Sequence, residues 1–110
     1  MYKRRSHLIA GLLLVSLVVT LSAQSTESLM SNGNMLLNNG AYDQAVSKFR
    51  AVIERNPGSF EAWFNLGIAY LNWGKASNAV DAFKEAAGLN PRSTSAWSNL
   101  AVAYEHQGKI

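Results

Sequence analysis

The sequence predicts an all-α fold in which antiparallel pairs of helices repeat along the chain, with about two and a half repeats present. The first observation is a fixed period: Trp63 recurs as Trp97, and 97 − 63 = 34. The same step separates Gly40, Gly74 and Gly108. The second observation is that apolar residues between these glycines lie three and four positions apart, the spacing of one helix face. A repeat of this length is typical of helical arrays, which bind partners with a surface.

The first 23 residues have the composition of a secretory signal peptide. Three basic residues precede an apolar run from Leu8 to Leu21, and the small residues Ser22 and Ala23 follow. This order predicts cleavage after Ala23. The alternative is an uncleaved membrane anchor, although the run is shorter than the roughly 20 residues of a spanning helix. We therefore expect an exported protein of the periplasm or cell envelope, held at a membrane only if the leader stays uncleaved.

The charge of the chain argues against binding to nucleic acid. The formal net charge is +3, and its three excess positive charges lie in the leader. From Gln24 onward, seven basic and seven acidic residues balance, 7 − 7 = 0. Balanced charge leaves no basic surface for a phosphate backbone. The chain contains no Cys, which excludes disulfides and thiol chemistry.

The first two helices are predicted on either side of Gly40. The first, residues 27–39, contains several Asn and Gly residues that lower helix propensity, so we expect a weak helix. The second, residues 42–55, carries apolar residues at helical spacing. It stops at Asn56, because the residue before a proline, here Pro57, disfavours the helical region.

Three further helices are predicted in the rest of the chain. Ser59 is placed to cap the third helix, which runs to the next glycine, Gly74. The fourth helix covers residues 77–89 and stops at a second Asn-Pro pair. Ser93 or Thr94 caps the last helix, which ends near residue 107. Since the turns are short, consecutive helices should be antiparallel.

Residues 60–93 resemble the tetratricopeptide repeat family at all of its signature positions. The family pattern has Trp, Leu, Gly and Tyr on the first helix of a repeat, then Ala, Phe, Ala and Pro. The matching residues are Trp63, Leu66, Gly67, Tyr70, Ala79, Phe83, Ala86 and Pro91. The resemblance implies a repeat domain over 26–110, with repeats at 26–59 and 60–93 and a partial repeat at 94–110.

The repeats on either side depart from this pattern. In the first repeat, Leu29 and Asn32 replace Trp and Leu. The partial third repeat keeps the signature residues Trp97, Leu100 and Tyr104, but it contains only one helix. Terminal repeats normally have a polar outer face. We therefore expect that the native protein continues beyond Ile110, or that this face meets a partner, including a second copy through the last helix.

The resemblance also implies a binding groove, because first-helix positions line the concave surface in this family. The predicted groove residues are Met30, Asn34, Leu37, Phe64, Ile68, Leu71, Asn72 and Val102. Phe64, Ile68 and Leu71 are four and three residues apart, so they share one helix face. Such a groove would take a helix or an extended segment of another protein. The alternative is that these residues only pack against adjacent repeats.

No catalytic site, metal site or cofactor is expected. His106 is the only histidine after the leader, and no cluster has metal-ligand spacing. Trp73 has no aromatic counterpart in the other repeats, where Asn39 and Gln107 align, so it either covers the turn at Gly74 or anchors an interface. The sequence thus predicts an exported, non-catalytic scaffold that binds protein. The alternative is the N-terminal structural part of a longer envelope protein whose activity lies beyond Ile110.

Overall fold

The computed structural model describes residues 24–108, which form five antiparallel α-helices. The helices are α1 Thr26–Asn38, α2 Tyr42–Arg55, α3 Phe60–Asn72, α4 Ala76–Leu89 and α5 Thr94–Gln107. The predicted all-α fold of antiparallel helix pairs is confirmed. Two helices start one residue earlier than predicted, at Thr26 and Ala76. The predicted signal peptide lies outside the described residues.

Three serines spaced 34 residues apart begin the first helix of each repeat. Ser25, Ser59 and Ser93 have extended backbone, and each hydroxyl accepts a hydrogen bond from the amide three residues later, at 3.0, 3.2 and 3.1 Å. This cap satisfies one of the amides that a helix N-terminus leaves without an intrahelical partner. The start of each repeat is therefore determined by its own capping serine.

Glycines with positive φ end these helices and turn the chain into the second helix of each repeat. Gly40 and Gly74 have φ of 78° and 80°. At the second of these turns, the amide of Gly74 donates to the carbonyl of Leu71 at 3.1 Å, and that of Lys75 donates to Tyr70 at 2.8 Å. These two bonds form a Schellman motif, which needs a left-handed residue that glycine supplies without strain.

Within a repeat, a phenylalanine of the second helix packs directly on a glycine of the first. Phe49 and Phe83 are fully buried. A Cβ atom placed on Gly33 would lie 2.5 Å from the Phe49 ring, and one on Gly67 would lie 2.6 Å from the Phe83 ring. The close helix crossing predicted at Gly67 is thus confirmed. Ala79, predicted at the same crossing, is completely buried.

The helix packing continues from one repeat to the next. Each helix packs against its neighbour in the chain, and α1 and α5 both contact α3. The first helices of the three repeats therefore lie side by side. The indole nitrogens of Trp63 and Trp97 each donate a 2.8 Å hydrogen bond, to the carbonyls of Pro57 and Pro91 respectively. Each tryptophan thus ties its helix to the turn that precedes it.

The side of α1 that corresponds to the buried alanine side of α3 is less buried, because α1 lies at the edge of the described helices. Ala62 and Ala69 on α3 are completely buried, because this side of α3 faces the first repeat. Their counterparts on α1 are Ser28 and Met35, and Met35 is 57% exposed. The outer side of α1 is rich in polar residues, as is typical of the outer face of a terminal repeat. Among residues 24–108, no helix is long and apolar enough to cross a membrane.

Candidate protein-binding site

The predicted groove residues lie on α1, α3 and α5, the three helices that run side by side. Most of them are half-buried, and the aliphatic and aromatic ones on α1 and α3 pack against the main core cluster. The half-buried residues are Met30, Asn34, Leu37, Phe64, Ile68 and Leu71. Asn72 and Val102 are exposed, Val102 by 37%. The groove surface therefore offers partly exposed apolar side chains, which can still gain burial from a partner.

Phe64, one of the predicted groove residues, packs against the core. Its ring centroid lies 5.8 Å from that of Phe83 in an edge-on arrangement and 5.6 Å from that of Phe60 in a stacked one. Aromatic pairs at such distances stabilise a fold beyond the area they bury. The alternative left open by the sequence, packing between helices, therefore applies to this side chain, and its role in a binding face stays a prediction.

A hydrogen bond between two asparagines joins α1 and α3. The Nδ2 atom of Asn65 donates to the Oδ1 atom of Asn34 at 2.9 Å, and the pair is partly buried. The equivalent of Asn65 on α5 is Asn99, which would meet Ile68 instead of an acceptor. Asn99 donates to the Ser95 carbonyl of its own helix at 3.0 Å. Asn34 thus has a structural partner that the sequence analysis did not predict, and only the pairing of helices reveals it.

The charges of the described residues are divided between the two sets of helices. The first helices of the repeats, α1, α3 and α5, carry Glu27, Glu61 and Glu105, all exposed, and no Lys or Arg. The lysines and arginines of residues 24–108 lie on α2, α4 and the turns. The helices that carry the predicted groove residues therefore offer carboxylates without a Lys or Arg of their own.

Two adjoining clefts lie on another side of the molecule, between α2 and α4. One has a volume of about 340 Å³ and the other about 670 Å³. They are lined by Trp63, Leu66 and Tyr70 of α3 and by Trp73 directly after it, and none of the predicted groove residues lines either cleft. Since a helix has 3.6 residues per turn, these residues lie on a face of α3 roughly opposite the groove stripe. Sequence reasoning missed these clefts, although Trp73 was a signal for them.

Trp73 is held in place by two contacts and stays partly exposed. Its ring lies parallel to that of Tyr70 at a centroid distance of 6.4 Å, and the Nζ atom of Lys75 lies 4.4 Å from the Trp73 ring centroid. The side chain is nevertheless 40% exposed. Trp73 therefore contacts the turn through Lys75, and it also offers an ordered aromatic surface to solvent.

Within residues 24–108, no three His, Cys, Asp or Glu side chains are placed to hold a metal ion. His106 is exposed near the end of α5, in the last turn. A positive imidazole at this position would interact favourably with the helix dipole.

Comparisons with known proteins agree with this architecture. The family model of the tetratricopeptide repeat matches residues 31–91 and 69–110. A solved MamA mutant is 33% identical, with 76% of this chain and 61% of that chain covered and a TM-score of 0.71. Structures of MamA from AMB-1 and MSR-1 are each 29% identical over 98% of this chain, cover 59% and 62% of theirs, and have TM-scores of 0.75 and 0.73. This chain thus spans about three fifths of these MamA chains. No curated protein sequence matches it.

Proposed function

Because the chain belongs to the tetratricopeptide repeat family, we propose that it is a non-catalytic scaffold whose groove on α1, α3 and α5 binds a helix or an extended segment of another protein. The observation that carries the proposal is the stripe of Phe64, Ile68 and Leu71, which stays partly exposed along α3. Exposed apolar surface of this kind marks interaction sites. Val102 on α5 extends the apolar surface to the neighbouring helix.

The charge of the groove helices defines the chemistry of the partner. Glu27, Glu61 and Glu105 are exposed, and α1, α3 and α5 carry no Lys or Arg. An acidic tail would find no cation there, whereas a segment with apolar and basic side chains would be complementary. The proposed partner is therefore an apolar segment that carries Lys or Arg, and its binding weakens as the salt concentration rises.

The proposal is tested with substitutions at exposed residues of the groove. Asn72→Arg with Val102→Arg places two cations on the exposed part of the groove. Met35→Arg is the matched control, since Met35 is 57% exposed on the outer side of α1. We expect both variants to melt like the wild type, because surface changes are usually within about 0.5 kcal/mol.

The binding readout is a pull-down from an envelope extract with the wild type and both variants. A specific partner is retained by the wild type and by Met35→Arg, and it is lost with Asn72→Arg/Val102→Arg. Retention by the folded double variant at the wild-type level would show that the groove does not recognise the partner.

We also propose that the protein is exported to the periplasm or cell envelope. The support is the sequence pattern of a basic start, an apolar run and small residues up to Ala23. N-terminal sequencing of the protein from cell fractions should give a chain that starts at Gln24. An intact Met1 in the membrane fraction would indicate an uncleaved anchor instead, and an intact Met1 in the cytoplasm would refute export.

A second candidate function is that of the N-terminal part of a longer envelope protein. The outer side of α5 favours it, because Trp97 is 51% exposed, whereas its counterpart on α3, Trp63, packs against the core. The intact mass of the protein purified from its native cells decides between the candidates. A mass well above the 12.0 kDa of this chain supports the longer protein. A mass at or below that value supports the self-contained scaffold.

A further inference from the structure

The two clefts between α2 and α4 adjoin each other, and both are separate from the proposed concave groove. Both clefts are lined by Arg50, Glu54, Tyr70 and Asn78, so they adjoin along the same helices. We name this surface the α2–α4 cleft. Its floor comes from α3, and its two walls come from the second helices of successive repeats.

The walls of the α2–α4 cleft carry more negative than positive charge. Its lining includes three carboxylates, Asp43, Glu54 and Asp81, and two cations, Arg50 and Lys75, so that 2 − 3 = −1. The ammonium of Lys75 already lies over the Trp73 ring. Glu54 on α2 and Asp81 on α4 are exposed and line the smaller part of the cleft from opposite walls. The excess charge favours a cationic ligand between them.

The floor of the cleft is aromatic, and this restricts which cationic side chain fits there. Trp63 and Tyr70 line the smaller part together with Ile53. A guanidinium stacks on aromatic rings, is more weakly hydrated than an ammonium, and binds carboxylates through two parallel hydrogen bonds. A lysine ammonium is a compact point charge and lacks the planar shape that stacks on a ring and pairs with a carboxylate. An arginine side chain is therefore the cation that fits both the walls and the floor.

Trp73 supplies a second contact point at the other end of the cleft. It lines the larger part, is 40% exposed and is ordered by Tyr70 and Lys75. A preordered aromatic surface loses little entropy on binding, and tryptophan is enriched among residues that dominate interface energies. An apolar side chain next to the arginine of a partner could pack against it.

We propose that the α2–α4 cleft is a second protein-binding site that takes an arginine side chain of a partner between Glu54 and Asp81, with a neighbouring apolar side chain of the partner on Trp73. The site is independent of the concave groove, since the two surfaces share no lining residue. A scaffold with both sites holds two partner segments at once on roughly opposite sides of α3.

The experiment uses the indole N–H signals of the three tryptophans in the ¹⁵N-labelled full chain. Trp63 and Trp73 line the cleft, whereas Trp97 lies outside it and is an internal control. The probe is N-acetyl-arginine amide, compared with the matched amides of citrulline and lysine. We expect the arginine amide to shift the Trp63 and Trp73 signals in a saturable way and to leave Trp97 in place, with weaker shifts for lysine and none for citrulline.

Variants of the walls test the assignment of the carboxylates. Glu54→Gln with Asp81→Asn should weaken binding of the arginine amide by about tenfold or more, which corresponds to the loss of charge-assisted hydrogen bonds. Glu85→Gln is the matched control, because Glu85 is exposed on α4 and does not line the cleft. Both wall residues are exposed, so the variants should melt like the wild type. If the double variant unfolds, the comparison of arginine with citrulline on the wild type decides the question.

The contribution of Trp73 is tested with dipeptides. N-acetyl-Leu-Arg amide should bind more tightly than N-acetyl-Gly-Arg amide to the wild type, and the difference should vanish in Trp73→Ala. The proposal is overturned if the arginine amide shifts no indole signal up to its solubility limit, if Trp97 shifts as much as Trp63 and Trp73, or if citrulline acts like arginine. An unchanged preference for leucine in folded Trp73→Ala removes Trp73 from the site.

Discussion

At the residue scale, single atoms decide how closely the two helices of a repeat approach. Gly33 and Gly67 leave no room for a Cβ atom, because the Phe49 and Phe83 rings occupy that space. The same pair recurs at a spacing of 34 residues, so the contact belongs to the repeat. The repeat signature at these positions therefore has a direct steric cause.

Gly67→Ala should lower the free energy of unfolding by about 1–3 kcal/mol, because the added methyl group overpacks the crossing against Phe83. The control is Gly88→Ala on α4, where a Cβ atom meets nothing within 4 Å. That change should raise the free energy of unfolding by about 0.5–1 kcal/mol through helix propensity alone. Urea unfolding of both variants measures the difference. Equal stabilisation by both substitutions would contradict the close crossing.

Phe64→Ala should lower the free energy of unfolding by about 2–3 kcal/mol, somewhat less than the truncation of a fully buried phenylalanine. The reason is its contact with the Phe83 and Phe60 rings. Val102→Ala, on the exposed part of the groove, should change the same quantity by no more than about 0.5 kcal/mol. Thermal melts of the two variants make the comparison. A Phe64→Ala variant as stable as the wild type would place the ring in the groove alone.

At the element scale, the ends of each helix are determined by residues close in sequence. The contacts between helices are made by side chains that are far apart in sequence. Serine caps start α1, α3 and α5, and glycines with positive φ follow their ends. The bond between Asn34 and Asn65 joins helices whose residues are 31 positions apart. It occurs once among the described first helices, because Ile68 offers no acceptor to Asn99.

A double-mutant cycle with Asn34→Ala and Asn65→Ala should give a coupling energy of about 0.5–1.5 kcal/mol, the net value of one hydrogen bond. The cycle compares the free energies of unfolding of four proteins, which are the wild type, the two single variants and the double variant. Asn99→Ala is the control, since its side chain bonds within α5. The cycle of Asn34 with Asn99 should show no coupling. A coupling as large there would mean that the asparagine pair carries no specific interaction.

At the scale of the whole molecule, the two ends of the described array differ. The outer side of α1 is rich in serine and asparagine, with Met35 as its exposed apolar residue. The outer side of α5 exposes Trp97. In an array, each helix pair depends on its neighbours for stability. The end at α5 therefore has apolar surface that a further helix or a partner could cover.

Hydrogen exchange should show that α3 is the most protected helix. It packs against all four other described helices, whereas α5 contacts only α3 and α4, and α1 contacts only α2 and α3. Amides of α1 and α5 should therefore exchange through local opening at lower free energy than those of α3. Native-state exchange followed by NMR measures this order. Equal protection in all five helices would indicate that residues 24–108 unfold as one unit.

The sequence by itself determined the helices, their order and their repeat. The positions of Gly40, Ser59, Pro57 and Gly74 act on the backbone of their own turn, so they can be read without knowledge of the fold. The fully buried Phe83 and the small Gly67 could be predicted because the family pattern has a steric cause. The partial exposure of the groove residues could not, since it depends on how far neighbouring helices cover them.

Only the tertiary structure decided which surfaces are available to partners. Phe64, a predicted groove residue, also packs against Phe83, because the crossing of α3 and α4 brings the two rings together. The α2–α4 cleft combines Glu54, Asp81 and Trp73, which come from three elements and have no common sequence pattern. Helix periodicity fixes the direction of a side chain from its own axis. The distance between neighbouring helices, however, is set by packing across the repeats. This distance determines whether the side chain is buried or exposed.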